Sequence, residues 1–162
     1  MTRENRLKMY AYLTEVCHRQ NKEMSVCHKT CMFAWHFKKK GTCAIKSLLN
    51  GLCEGEDQTI FAKEALAKYG GEVCGASYKV LDEVYRELLF SETDPPKSRG
   101  CLTGDCKTCG YKGWSQSTLR CPFMQVLNCL DAYADPLTMQ IYTAFLGFVD
   151  GTSDSPIPPE YR

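Results

Sequence analysis

Between residues 77 and 90, Leu81, Val84, Tyr85 and Leu88 recur every three or four positions, and Asp82, Glu83, Arg86 and Glu87 fall between them. That period gathers the apolar residues on one stripe of an α-helix and turns the charged ones away. The same arithmetic predicts helices along most of the chain. In residues 3–20, Met9, Leu13, Val16 and Cys17 share one face. Residues 25–37, "SVCHKTCMFAWHF", are apolar nearly all round and predict a buried helix from Ser25, ended by the cations and glycine of "KKKG". Thr42 is read as the cap of "CAIKSLLNGLC", which Gly55 closes. "TIFAKEALAKYGG" predicts a helix begun at Thr59 and finished by Gly70 and Gly71.

"SETDPPKSRG" then interrupts the periodicity. Cys121-Pro122 reopens it, with proline at the first helical position and Phe123, Val126, Leu127 and Leu130 as the apolar stripe. Asp135-Pro136 repeats the start signal for "LTMQIYTAFLGFV", which Asp150-Gly151 ends. The proline-rich tail "TSDSPIPPEYR" is expected to be irregular. Apart from a short hairpin at 103–120, nothing alternates as a strand would. The expected fold is all-α: one irregular domain of six or seven helices over residues 1–150, a cysteine loop at 92–121 inserted before the last two helices, and a tail at 151–162.

Length and composition fit that picture. A chain of 162 residues, 44% hydrophobic and 24% charged, can bury a core of its own. The net charge of +1 provides no global field for nucleic acid or membrane. Its distribution is uneven. Residues 1–54 hold ten Lys/Arg against four Asp/Glu, residues 55–100 six against nine, and residues 101–162 four against six. A basic N-terminal third suits a phosphate or an acidic partner, and the plainer alternative is a solvated helical face.

Eleven cysteines change the picture most. The first residues, "MTRENRLKMYAYLTEV", are charged from the third position and lack the apolar region of a secretion signal. No run approaches the ~20 apolar residues of a membrane span. A cytoplasmic location follows as the expectation, and there clustered thiols point to metal ligands or reactive groups before disulfides.

Four of them stand as Cys101-x4-Cys106-x2-Cys109-x11-Cys121. Two cysteines separated by two residues can wrap one tetrahedral metal, and the glycine after the second admits the turn that aims backbone N–H groups at sulfur. "CKTCGY", residues 106–111, resembles the knuckle of rubredoxins and zinc ribbons over those six residues, which implies local geometry only. Cys121 sits at a predicted helix start, where N–H groups favour a thiolate. Cys129 lies eight residues further along that helix, ~12 Å away at ~1.5 Å per residue, and is assigned to the core. Four thiolates imply a closed, structural zinc site. The alternative cofactor is an iron–sulfur cluster, 4Fe-4S or 2Fe-2S, because C-x4-C-x2-C is also the plant-type ferredoxin run and Cys121-Pro122 resembles the end of the bacterial-type run; the gap of eleven residues fits neither pattern.

Cys27 and Cys31 share a helical face at i and i+4 and, with His36, form a candidate second metal set; burial as small hydrophobes is the alternative. Cys43, Cys53 and Cys74 are read as core. Lys38, Lys39 and Lys40 form a candidate partner-binding patch, or equally a helix terminus. Tyr111 and Trp114 on the cysteine loop could stack on bases, or cover the metal. No Walker loop, dinucleotide fingerprint or HExxH motif appears, and a cysteine-dependent enzyme is the least supported class. The resulting expectation is a zinc-stabilised regulatory or adaptor protein that binds a protein or nucleoprotein partner, with direct nucleic-acid contact open to the basic third and no membrane role.

Overall fold

The fold is built around the first helix, α1 (Arg3–Gln20). In the computed structural model, residues 1–20, 31, 33, 43–90, 122–149 and 151–161 are described. Thr2 caps α1: its Oγ1 accepts from the Asn5 N–H at 3.1 Å and its carbonyl from the Arg6 N–H at 3.0 Å. Burial exceeds the expected stripe. Leu7, Tyr10, Ala11 and Tyr12 are buried along with Met9, Leu13 and Val16, whereas Cys17 is only half-buried. Three other helices surround α1, so more than one of its faces is inside. Tyr12 shows how a polar-tipped residue joins a core: its ring is buried while its hydroxyl donates to Glu72 at 2.8 Å.

The second helix, α2 (Ala44–Leu52), lies against α1 with Ala44, Ile45, Leu48 and Leu52 inward. Its cap is Cys43, not Thr42; the thiol sulfur accepts from the Lys46 N–H at 3.2 Å, standing in for the usual hydroxyl. Gly55 turns the chain out of it with φ of +80°, as expected.

The third helix, α3 (Gln58–Cys74), corrects two expectations. It starts one turn-position earlier than Thr59, because Asp57 accepts from the Ile60 N–H at 3.0 Å. It also runs through Gly70 and Gly71 to Cys74. A glycine inside a helix costs only ~1 kcal/mol relative to alanine. Burial of Val73 and the bonds that Tyr12 and Lys8 make to Glu72 hold the last turn in place.

The fourth helix, α4 (Tyr78–Phe90), is capped by Ser77, whose Oγ accepts from the Val80 N–H at 3.3 Å. Leu81, Tyr85, Leu88 and Leu89 are buried and Glu83, Arg86 and Glu87 exposed. Asp82 was expected among the exposed charges and is instead buried. The fifth helix, α5 (Pro122–Ala134), begins at the proline as the sequence predicts and buries Phe123, Val126, Leu127, Cys129 and Leu130. The sixth, α6 (Pro136–Val149), follows after Asp135, which accepts from the Leu137 and Thr138 N–H groups. Gly151, at φ +75°, closes it. The tail makes turns, with one 3₁₀ turn at Pro159–Tyr161.

Six α-helices and no strand stand among the described residues, so the all-α expectation holds. The hairpin expected at 103–120 and nearly all of the helix expected at 25–37 lie outside them. Within 25–37, Cys31 and Phe33 are described, and both are buried. No described helix is long and apolar enough to cross a membrane.

Candidate functional site

Helices α4 and α5 form an antiparallel hairpin. The Tyr85 hydroxyl, near the end of α4, donates to the Phe123 carbonyl at the start of α5, 2.9 Å away. Arg86 donates to Asp131 at 2.8 Å. At the opposite end, Tyr78 stacks on Tyr133 with ring centroids 5.1 Å apart. The chain therefore leaves α4 at Phe90 and re-enters α5 at Pro122 at the same end of one hairpin. Neighbouring helices in a bundle need roughly 2–8 residues of connection. Residues 91–121 far exceed that, and they carry Cys101, Cys106, Cys109 and Cys121. All four cysteines, with Tyr111 and Trp114, lie outside the described residues, as do Cys27, His36 and Lys38 to Lys40.

Cys31, the described member of the second candidate set, is buried close to Cys129 of α5. Phe33 packs on Tyr133 at 5.7 Å, Tyr133 on Tyr78, and the Arg19 guanidinium covers Tyr78 at 5.4 Å. Phe33 is thus attached to α5 through an aromatic stack. Burial, with the nearby Cys31, pushes the Cys129 thiol up to about 12, so Cys129 is protonated at neutral pH and serves as core. Cys53 is also buried, Cys43 half-buried and Cys74 exposed, so core packing fits Cys53 and Cys129 but not Cys74. Among the described residues, no group of three His, Cys, Asp or Glu side chains is placed to hold a metal.

Two polar clusters were missed by sequence reasoning. In the first, the carboxyls of Asp82 and Asp131 lie near each other across α4 and α5, with Arg86 beside both. Burial first, then Asp131, raise the Asp82 carboxyl to about 6, and Arg86, 3.9 Å away, only partly offsets this. Asp82 Oδ1 is buried with no hydrogen-bond donor. The only sequence signal would have been a carboxylate next to a stripe residue, which is commonplace.

The second cluster joins α1 to α3. Arg3 bridges Glu56 and Glu64 at 2.8 and 2.7 Å, Arg6 reaches the Leu52 carbonyl at 2.9 Å, and Lys68 reaches Glu4 at 3.2 Å. Arg3 and Arg6 also lie over the Phe61 ring. Hydrogen bonding from Arg3 holds the Glu64 carboxyl down to about 2. Cations of the basic third are thereby paired with carboxylates of the acidic third. The charge asymmetry by segment was the available signal, and for Arg3 and Arg6 it is met within the molecule.

No protein-family model, no curated protein and no solved structure matches the chain.

Proposed function

We propose that this chain is a cytoplasmic adaptor or regulatory protein in which a structural zinc, bound by Cys101, Cys106, Cys109 and Cys121, holds a recognition loop at one end of the helical bundle, and that the protein acts by binding a protein or nucleoprotein partner. One observation carries the reading: a segment with metal-ligand cysteine spacing is anchored at both ends by one antiparallel hairpin. Bringing the ends of a long segment together is cheap, since closure entropy grows only slowly with length, but ordering its interior is not. Metal binding supplies folding free energy where burial cannot. Tyr111 and Trp114 then stand on the ordered surface. The ion pairs of α1 leave Lys38 to Lys40 and the loop as the better candidates for contact with a partner.

Elemental analysis of the purified protein tests this. The expected result is one zinc per chain, lost in Cys106→Ser and Cys109→Ser with the helical circular dichroism retained. Zinc should shield those thiols from alkylation, and chelation should open residues 92–120 to protease. A protein that takes up no zinc on reconstitution, or one whose loop stays protected after complete metal removal, contradicts the proposal. The C-x4-C-x2-C run supports a second reading, a redox or sensing protein with an iron–sulfur cluster on the same sulfurs. A brown anaerobic preparation containing iron and sulfide would decide for it. A cysteine-dependent enzyme gains nothing from Cys129, whose thiol burial keeps protonated.

A further inference from the structure

Helix α6 carries an apolar face that the described helices leave partly exposed. Leu137, Ile141, Phe145 and Phe148 are each between 38% and 49% exposed. At 100° per residue they fall within about 80° of arc, and at ~1.5 Å per residue they extend over roughly 16 Å. Packing of α6 among the described helices is mainly against α5, and the tail covers a different side of it. There Met139, Thr143 and Pro158 help line a shallow groove of about 380 Å³ beside the stripe. From Pro136 to Val149 the helix has no charged residue.

We infer that this stripe docks into an apolar groove with a basic rim on a partner protein. The inference rests on the adaptor reading above but on none of its metal chemistry. Two arguments select the occupant. The first is charge. Residues 122–161 contain five Asp or Glu and no Lys, Arg or His; exposed Asp135 stands at the N-terminal end of the stripe, and exposed Glu160 lines the groove beside its first half with Pro136, Met139 and Gln140. Opposite charge on the partner's rim would steer and register the contact, whereas like charge would repel it. Anionic membrane surfaces recruit helices through Lys and Arg, and here the flanking charge has the wrong sign.

The second argument is area. Four side chains of this size, a little under half exposed, present roughly 300–350 Å² of apolar surface. Two copies face to face would bury about 600–700 Å², short of the ~1,200 Å² of a stable dimer. A groove encloses the flanks of the helix as well, and anchors at i, i+4, i+8 and i+11 are the pattern by which helices enter grooves.

The test places a photo-cross-linking amino acid at position 145 of the full chain in its own cells, with position 60 as the control, since Ile60 is a 67% exposed apolar residue on α3. One adduct is expected from 145 and none from 60. The partner, identified by mass spectrometry and purified, should bind Ile141→Ser and Phe145→Ser at least ten-fold more weakly than the parent and Ile60→Ser equally well. Its affinity should fall as salt rises from about 50 to about 300 mM. Unchanged melting temperatures will show that the half-exposed substitutions leave the fold intact. Several results overturn the inference: no adduct at 145, a second copy of this chain as the adduct, affinity indifferent to positions 141 and 145, or flotation of the protein with phosphatidylcholine or phosphatidylserine vesicles. Repeating the titration after chelation separates the two proposals. Docking through α6 persists without metal, so loss of the zinc reading leaves this one standing, and failure here leaves the zinc reading untouched.

Discussion

Asp82 carries a cost at neutral pH that its neighbours only partly relieve. Its carboxyl faces Asp131, Arg86 and Glu83, and its folded value of about 6 lies above the ~3.9 of an unfolded aspartate. The folded state therefore holds the proton more tightly. The contribution to stability is complete below about pH 4 and is lost as pH rises through 6. Glu64 behaves in the opposite sense: Arg3 holds it down to about 2, so its contribution is present above the unfolded value and lost as pH falls towards 2. Asp82→Asn keeps the size of the side chain and removes the charge that Asp131 opposes. We expect it to stabilise the protein by about 1 kcal/mol at pH 7.5, a figure reduced for solvent and for Arg86, and by nothing at pH 4. Urea unfolding at the two pH values checks this; an equal gain at both would point to a packing effect. Cys129→Ala should cost roughly 1–2 kcal/mol of packing and leave metal content unchanged, which paired melting and elemental measurements will show. Sequence position identified Cys129 as core because eight helical residues, ~12 Å at ~1.5 Å per residue, separate it from Cys121. It could not identify Asp82, whose partner lies on a different helix.

Helices were legible wherever period and cap agreed. Pro122 and Asp135 start α5 and α6 where the sequence places them, and Gly55 and Gly151 turn the chain at positive φ. The misplaced boundaries have different causes: the starts of α2 and α3 were decided by local caps, Cys43 and Asp57, and the end of α3 by contacts outside the element. Gly70-Gly71 reads as a stop, yet α3 continues because its final turn is attached to α1 through Val73 and Glu72. A Cβ on Gly71 would meet nothing within 4 Å. Gly71→Ala should accordingly raise stability by about 0.5–1 kcal/mol, measured as an upward shift of the thermal midpoint, because the helical backbone there suits alanine and the unfolded chain loses freedom. Tyr85→Phe, in contrast, should lower stability by about 1 kcal/mol by deleting the bond to the Phe123 carbonyl that fastens α4 to α5. Capping by Cys43 was hidden for a simpler reason: sulfur is a poor acceptor and an unusual choice at that position.

For the whole molecule, charge by segment proved more telling than net charge. Part of the excess of cations at one end meets the excess of anions in the middle where Arg3 and Arg6 of α1 reach Glu56 and Glu64. The candidate metal ligands were readable as a spacing in the chain, while the location of their segment in the bundle was not, since that depends on α4 and α5 running in opposite directions. A detour that begins and ends at one place behaves as a cassette. Replacing residues 92–120 with a few glycines and serines should leave a protein with the same six helices, the same Tyr85 contact and no affinity for zinc, readable by circular dichroism and metal titration. On that outcome the bundle could be inherited, reshaped or engineered without its cysteine segment.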